Sequence, residues 1–460
     1  MSTAVPLHAL RREELARRIK ALPDEVAAWK ARVADQPDMN SHYSQVQALE
    51  ILVDALVKKQ RKLLEDLDPA GDAEVFRVVA LELVEEIIKG QRVWNFFRSK
   101  LDLRFSPDFK DLLWVADTIA WDCYQPIMNR AVDATIVPAA QVREPPLTYL
   151  TAEFSPATWV RGSRPNDGHD YHLGSARLPI PVIEIPWDHI GNLWELVSLQ
   201  HEVGHDLEAD LNLRPQLLAS LQSALLDADV PTARTKTWLS WAGEIFADLI
   251  GLRLGGPAFL LGLMHLILLP AHMVTKFDPT DPHPTHYLRI LLNTEYLRRL
   301  IPDSEILEPE AAAIEDTWKS QYGDLPSFKP LLQDAPHVFR ALMEDPLTGL
   351  KGKAVRDLVP FSELEYTKIQ AAAYFLRTGM SAPARQSMTP RHCVSAARLA
   401  ATEVYDTVGN GTSLDQFDAP LEEINNRLIQ MVRDNALPGL RAAEMPSEHI
   451  RFIAGFADLL

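Results

Sequence analysis

The five residues HEVGH, at positions 201–205, are the most informative part of this 460-residue chain. They lie in a stretch, residues 187–211, whose apolar residues recur at the spacing of an α-helix. Residues four positions apart project from one face of a helix, so His201 and His205 are predicted to point together towards the interior. Two such imidazoles can bind one metal ion, and Glu202 beside them can exchange protons with a water molecule at that ion. The pattern predicts a metal site; the alternative is a helix that carries these residues for structural reasons.

The composition of the chain is typical of a globular protein and argues against nucleic-acid binding. Hydrophobic residues make up 47% of the chain and charged residues 24%, and its length allows two or three packed units. The formal net charge is −17 at pH 7, and no block of Lys and Arg interrupts this acidic character. Because such a chain would be repelled by a phosphate backbone, we expect no nucleic-acid partner.

The targeting and membrane signals predict a cytoplasmic protein that does not enter a membrane. The N-terminal segment MSTAVPLHALRREELARRIK carries charges where a secretory signal needs an apolar centre. The longest apolar run, residues 258–274, contains a proline and two histidines and is shorter than the roughly 20 residues of a membrane span. We expect a buried helix followed by a turn there. The two cysteines, Cys123 and Cys393, are too few for a disulfide framework and fit a reducing compartment.

Changes in residue pattern divide the chain into three predicted regions. Residues 1–133 have the pattern of consecutive helices, and three prolines in the next stretch mark a boundary. Residues 134–300 hold two stretches typical of short strands, 147–162 and 176–186, followed by the helices around HEVGH. Residues 301–460 are again mostly helical. The predicted fold class is mainly α, with helical N- and C-terminal regions around a small α+β core that contains a short sheet and the HExxH helix.

A second helix is predicted to supply the third metal ligand, since a catalytic zinc site usually takes three protein ligands and a water molecule. In WAGEIFADLIG, residues 241–251, Glu244 and Asp248 are four positions apart on an otherwise apolar helix. Burying two carboxylates there without a cation or hydrogen-bond donors would be costly. We therefore predict Glu244 as the third ligand and Asp248 as the acceptor of a ligating histidine's ring N–H, with a capping or surface acidic pair as the alternative. Gly204 is expected to let the two helices approach closely.

HEVGH followed by the acidic pair Glu244 and Asp248 resembles the gluzincin branch of zinc metallopeptidases, the thermolysin-like group. The resemblance covers residues 201–248 and the strand-like segment before them. It implies a zincin-like core, Zn²⁺ as cofactor, and hydrolysis of peptide bonds in a peptide or unfolded protein, with Glu202 as general base and then general acid. The chain between the second histidine and the acidic pair is longer than in thermolysin-like enzymes, and we expect residues 214–235 to contain an extra helix.

The segment DPHPTHYLRI, residues 281–290, offers groups that could stabilise the negative charge formed on the carbonyl oxygen of the substrate. Gluzincins use a His, Tyr or Arg from a separate segment for this purpose. We predict His286 and Tyr287 as catalytic residues, with His283 and Arg289 as further possible stabilisers. Two prolines would hold the segment stiff. An ordinary loop that enters a helix is the alternative.

The sequence as a whole predicts a zinc metallopeptidase that admits short or unfolded peptides better than folded proteins. Residues 182–185 are expected to pair with the backbone of the substrate. A different class of function stays open, namely a regulatory or interaction protein in which the zinc site is structural and helical surfaces bind a protein partner. Hydrolysis of an amide other than a peptide would use the same ligands.

Overall fold

A small sheet separates two groups of helices and organises the fold. The structure is a computed structural model that describes residues 7–34, 36–138, 144–164, 177–380, 388–407, 415–436 and 447–459. Throughout these residues the chain is mainly helical, with a three-stranded sheet. The predicted fold class is thereby confirmed as mainly α with a short sheet.

Four long helices precede the sheet, and their apolar residues recur at helical spacing as the sequence predicted. They are α1 (Leu7–Val33), α2 (Tyr43–Glu65), α3 (Ala73–Asp102) and α4 (Lys110–Asp133). Asp72 caps the start of α3, because its carboxylate accepts hydrogen bonds from two free backbone N–H groups of the first turn. Helices α1, α2 and α3 pack together as an N-terminal bundle, whereas α4 packs on the other side of the sheet.

The sheet has one central strand, and the side chains on both faces of that strand are buried. Its strands are β1 (Leu147–Thr151), β2 (Ala157–Trp159) and β3 (Val182–Pro186), in the order β1–β3–β2. β1 runs parallel to β3, and β2 runs antiparallel to it. Because side chains alternate along a strand, Val182 faces the N-terminal bundle while Ile183 and Ile185 face the second group of helices. The sheet therefore lies between two hydrophobic cores.

The helix that carries HEVGH begins later than the apolar spacing predicted. Two 3₁₀ turns, Trp187–Gly191 and Leu193–Ser198, precede it, and the non-helical backbone of Asn192 separates them. The helices that follow are α5 (Leu199–Asp210), α6 (Arg214–Asp227), α7 (Thr232–Gly255) and α8 (Pro257–Leu266). α6 is the extra helix expected between HEVGH and the acidic pair, so that prediction is confirmed.

The apolar run at residues 258–274 forms the buried helix and turn that the sequence predicted. α8 ends at Leu266, and the short helix α9 (Ala271–Val274) follows after Pro270. Among the helices in the described ranges, none combines the length and the apolar character needed to cross a membrane.

The C-terminal half of the chain adds helices that surround the central ones. They are α10 (His286–Leu300), α11 (Leu307–Tyr322), α12 (Lys329–Phe339), α13 (Val355–Leu358), α14 (Glu363–Thr378), α15 (Pro390–Thr407), α16 (Asp415–Asn435) and α17 (Ser447–Leu459). α10 is the most relevant to the site, because it packs against both α7 and α8.

The two hydrophobic cores cross the boundaries of the three predicted regions. The larger core joins α4, from the predicted N-terminal region, to α5–α8 and to helices beyond residue 300. The smaller core joins α1–α3 to one face of the sheet and to α17, at the other end of the chain. The predicted division of the chain near residues 133 and 300 stays a prediction. The two hydrophobic cores are separated by the sheet and not at these positions.

The structure corrects the predicted docking strand. Residues 182–185 lie in β3, where all four pair with β1 on one side and residues 182–184 also pair with β2 on the other. A central strand has no free backbone groups along its edges, so the prediction that this segment pairs with a substrate is wrong. The edge strand that lies beside α5 is β2.

Candidate metal centre

Two closely packed helices, α5 and α7, bring the predicted ligands together. Gly204 on α5 lies against Ala247 on α7, and a Cβ atom at position 204 would be 2.8 Å from the Cα of Ala247. Any side chain there would push the helices apart. The prediction that Gly204 permits their close approach is therefore confirmed.

The three predicted ligands form one compact cluster. The candidate ligand atoms of His201, His205 and Glu244 all lie within 4.8 Å of one another. The two Nε2 atoms are 3.2 Å apart, and they lie 3.3 Å and 3.5 Å from the nearest carboxylate oxygens of Glu244. Each side chain is only partly buried, between 11% and 20% exposed, so the cluster is reachable from solvent.

The donor set of this cluster fits a zinc ion. Oε2 of Glu244 is buried and, in the described part of the chain, accepts no hydrogen bond. Nitrogen atoms of His201, His283 and Arg289 surround it at 3.3, 3.3 and 3.5 Å, too far for strong hydrogen bonds. Two imidazole nitrogens and one carboxylate oxygen are a set that holds catalytic Zn²⁺ with its fourth position open.

Asp248 contacts His201 on the side of the ring that faces away from the cluster. Its Oδ1 atom lies 2.8 Å from Nδ1 of His201, which leaves Nε2 of that ring facing the cluster. Arg289 donates two hydrogen bonds of 2.7 and 2.8 Å to the same carboxylate, and Asn293 donates a third of 2.9 Å. Such contacts fix the orientation of a ligating ring. The sequence reasoning missed Asn293, although its position four residues after Arg289 on α10 was a usable signal.

Burial and the close charges set the protonation of the cluster. Although burial alone would lower it, the neighbouring carboxylates of Asp248 and Glu244 raise the pKa of His201 to about 10. Burial alone would raise the pKa values of Glu244 and Asp248. The neighbouring His201 nevertheless lowers the pKa of Glu244, and Arg289 together with His201 lowers that of Asp248. Burial next to His201 lowers the pKa of His205 to about 4. Two ionised carboxylates beside a neutral ring are suited to a divalent cation, which would replace the proton on His201.

Glu202 is buried beside the cluster and is held by a residue of the sheet. The hydroxyl of Thr158, in β2, donates a hydrogen bond of 2.8 Å to Oε2 of Glu202. Burial raises the pKa of this carboxyl group. The sequence reasoning missed Thr158, because nothing in the local pattern of β2 marks it as a neighbour of HEVGH.

An open cleft of about 870 Å³ gives access to all three candidate ligands and to Glu202. The lining includes residues 153–160, which contain β2, and residues of α5, among them Glu208 and Ala209. A smaller cavity of about 80 Å³ adjoins it, lined in part by the apolar residues Val197, Phe259 and Leu263. The site therefore combines a wide groove with a narrow side chamber.

Two of the four predicted stabilisers lie at this site. His283 lines both cavities; its Nε2 atom is 3.3 Å from Oε2 of Glu244, and its Nδ1 atom is 3.1 Å from Oδ1 of Asp281. Arg289 lines the side chamber and is buried against Asp248.

The structure does not bring His286 and Tyr287 to the cluster. Tyr287 is buried, and its hydroxyl donates to the backbone oxygen of Gly323 and accepts from the backbone N–H of Leu325. His286 is half-buried at the start of α10. Neither side chain belongs to the lining of the cleft or of the side chamber.

Comparison with protein-family models, with curated proteins and with solved structures finds no match for this chain. The geometry and chemistry of the cluster are therefore the evidence for its function.

Proposed function

We propose that the protein is a zinc-dependent metallopeptidase with a zincin-like core, in which His201, His205 and Glu244 bind Zn²⁺. The observation that carries the proposal is that these residues meet on the wall of an open cleft, beside the buried Glu202. Structural zinc sites are normally closed by four protein ligands, whereas catalytic sites keep one position open. The open side of the cluster favours catalysis over a structural zinc site in an interaction protein.

Zn²⁺, when bound, would supply Lewis-acid chemistry, because it polarises carbonyl groups and lowers the pKa of water. Glu202 would serve as general base by taking a proton from the attacking water molecule, and then as general acid by delivering it to the leaving amine. Asp248 would keep the ring of His201 in its ligating orientation.

The edge strand β2 is the proposed docking element for the substrate. Residues 153–160 line the cleft, and among the residues that the structure describes β2 pairs with another strand on one side only. An extended peptide would add to the outer edge of β2, the edge opposite β3, through backbone hydrogen bonds. The volume of the cleft lies within the range of about 300–1,000 Å³ that is common for ligand sites, which suits a short stretch of unfolded chain.

His283 is the proposed stabiliser of negative charge on the carbonyl oxygen. It is about half exposed in the cleft, and the Asp281 carboxylate beside its Nδ1 atom would orient the ring. Arg289, with its guanidinium bound to Asp248, would act by holding that carboxylate instead. The buried hydroxyl of Tyr287 has backbone partners, and we assign it no role in the reaction.

Metal analysis and one substitution test the proposal. We expect about one zinc ion per chain in the purified protein and its loss in His201→Ala. Glu202→Gln is expected to keep the zinc and the melting temperature but to hydrolyse an unstructured protein about 10²- to 10⁴-fold more slowly, because the proton acceptor is removed.

The outcome of the substitution separates the two classes of function. Wild-type protein that binds zinc and cleaves no peptide, or a Glu202→Gln variant as active as wild type, would contradict the peptidase. In the first case, a zinc-dependent change in binding to a protein partner would support the interaction protein.

A further inference from the structure

We propose that Thr158 is a positioning residue that aligns Glu202 with a substrate docked on β2. The inference rests on the proposed peptidase function. Thr158 is the middle residue of β2, and its hydroxyl donates to the carboxylate of Glu202 at 2.8 Å. In the described ranges no other side chain donates a hydrogen bond to that carboxylate.

Because side chains alternate along β2, Thr158 points towards α5. Trp159 donates from its ring nitrogen to Glu184, a residue on the face of the sheet that meets the N-terminal bundle. Thr158 is paired with Ile183 and therefore lies on the opposite face, against α5. Its neighbours in the strand point away from Glu202, so Thr158 is the residue of β2 that can hold the base.

The same short strand would then carry both partners of the reaction. The outer edge of its backbone would bind the substrate, and the side chain of its central residue would hold the general base. The backbone and the side chain of Thr158 would then together fix the distance between the scissile carbonyl and Glu202. Such alignment matters because a misplacement of about 1 Å can slow an enzymatic reaction by about 10²-fold.

The kinetic test compares zinc-loaded wild-type protein with Thr158→Val and Thr158→Ser on an unstructured peptide. Valine keeps the shape of threonine but lacks the donor, whereas serine keeps the donor. We expect Thr158→Val to lower kcat about 10- to 100-fold and to leave KM within about threefold, because the base is misplaced while the backbone of β2 still binds substrate. Thr158→Ser should retain a kcat within about threefold of wild type.

A matched control and a measurement without turnover complete the test. Thr151→Val removes a hydroxyl from the same sheet, where Thr151 accepts a hydrogen bond from the backbone of Glu153, and its kcat should equal that of wild type. In urea unfolding of the metal-free protein, Thr158→Val and Glu202→Ala should be non-additive, because both remove the same hydrogen bond.

Specific results would overturn the proposal. They are a Thr158→Val variant with wild-type kcat, a Thr158→Ser variant as slow as the valine variant, or additive effects in the unfolding cycle. A wild-type protein that cleaves no peptide is a different failure, since it removes the proposed function itself. Zinc content and melting temperature, measured for every variant, separate a loss of alignment from a loss of fold.

Discussion

Single residues set how closely α5 and α7, the two helices that carry the candidate metal ligands, approach each other. Gly204 is one position from His205, and Ala247 is one position from Asp248, so this close contact between α5 and α7 lies beside the cluster. Because packed helices move as rigid units, a change of a few tenths of an ångström at this contact would be transmitted to the ligands.

Gly204→Ala is expected to weaken both the fold and the metal site. The added methyl group would lie 2.8 Å from the Cα of Ala247, and overpacking of this kind costs about 1–3 kcal/mol of unfolding free energy. Zinc affinity, measured by competition with a chelator, should fall because Glu244 moves away from the histidines. Gly191→Ala is the control, since a Cβ at Gly191 meets no atom within 4 Å. Equal zinc affinity in the two variants would show that the helix contact does not set the ligand geometry.

At the scale of elements, a buried ion pair joins the N-terminal bundle to α4 and the sheet. Arg104 follows α3, and its guanidinium donates to both carboxylate oxygens of Asp117 on α4. Asp117 also accepts from the backbone N–H and the hydroxyl of Thr148 in β1. Although burial alone would raise it, Arg104 and His42 hold the pKa of Asp117 below its ordinary value of 3.8. The carboxylate is therefore ionised at neutral pH, and its hydrogen bonds connect the end of α3, α4 and β1.

Asp117→Asn should destabilise the protein in a pH-dependent way. At neutral pH the change leaves Arg104 buried without its anion, which costs about 3–5 kcal/mol of unfolding free energy. The folded pKa of Asp117 is lowered, so its contribution is complete above 3.8 and is lost as the pH falls through the folded pKa. The difference between variant and wild type in urea denaturation should therefore shrink in acid.

The control for this prediction is on the same helix. Asp111 forms an ion pair with Arg433, and both side chains are nearly half exposed. Asp111→Asn should cost about 1 kcal/mol or less at any pH. A similar loss for both variants would mean that the buried pair contributes no more than a surface one.

At the scale of the whole molecule, the sheet divides the packing into two cores. Helices from both the first and the last part of the chain belong to the smaller core. α17 returns from the C-terminus to pack on α2, and it brings Ile453 and Phe456 into the smaller core. The candidate metal ligands lie on helices of the larger core. Damage to the smaller core should therefore be felt mainly in the N-terminal bundle.

Phe456→Ala tests this division. Loss of a buried phenylalanine costs about 3–5 kcal/mol, and hydrogen exchange should become faster in α2 and α17 before it does in α5 and α7. Zinc affinity should stay within about threefold of wild type. Ile450→Ala is the control on the same helix, because that side chain is exposed. Uniformly faster exchange in α5 and α7 as well would show that the two cores unfold together.

The sequence by itself determined what lies on one helix. Apolar spacing predicted the helical class and α6, and the four-residue intervals placed His201 with His205 and Glu244 with Asp248. These predictions succeeded because the geometry of a helix fixes the relative direction of residues that are near in sequence. Donor chemistry then paired the two sets as a prediction, since two carboxylates on an apolar helix are costly to bury without a cation or hydrogen-bond donors.

Tertiary structure alone decided which distant segments meet. Alternating strand patterns did not reveal that β3 is central and β2 is the edge, because strand order depends on how the whole chain packs. The four candidates in residues 281–290 could not be ranked from sequence, yet the start of α10 turns Tyr287 into the core while His283, just before it, faces the cleft. Thr158 reaches Glu202 across a long stretch of chain for the same reason. Contacts of this kind arise from the packing of rigid elements, and the spacing of residues within one helix or strand does not predict them.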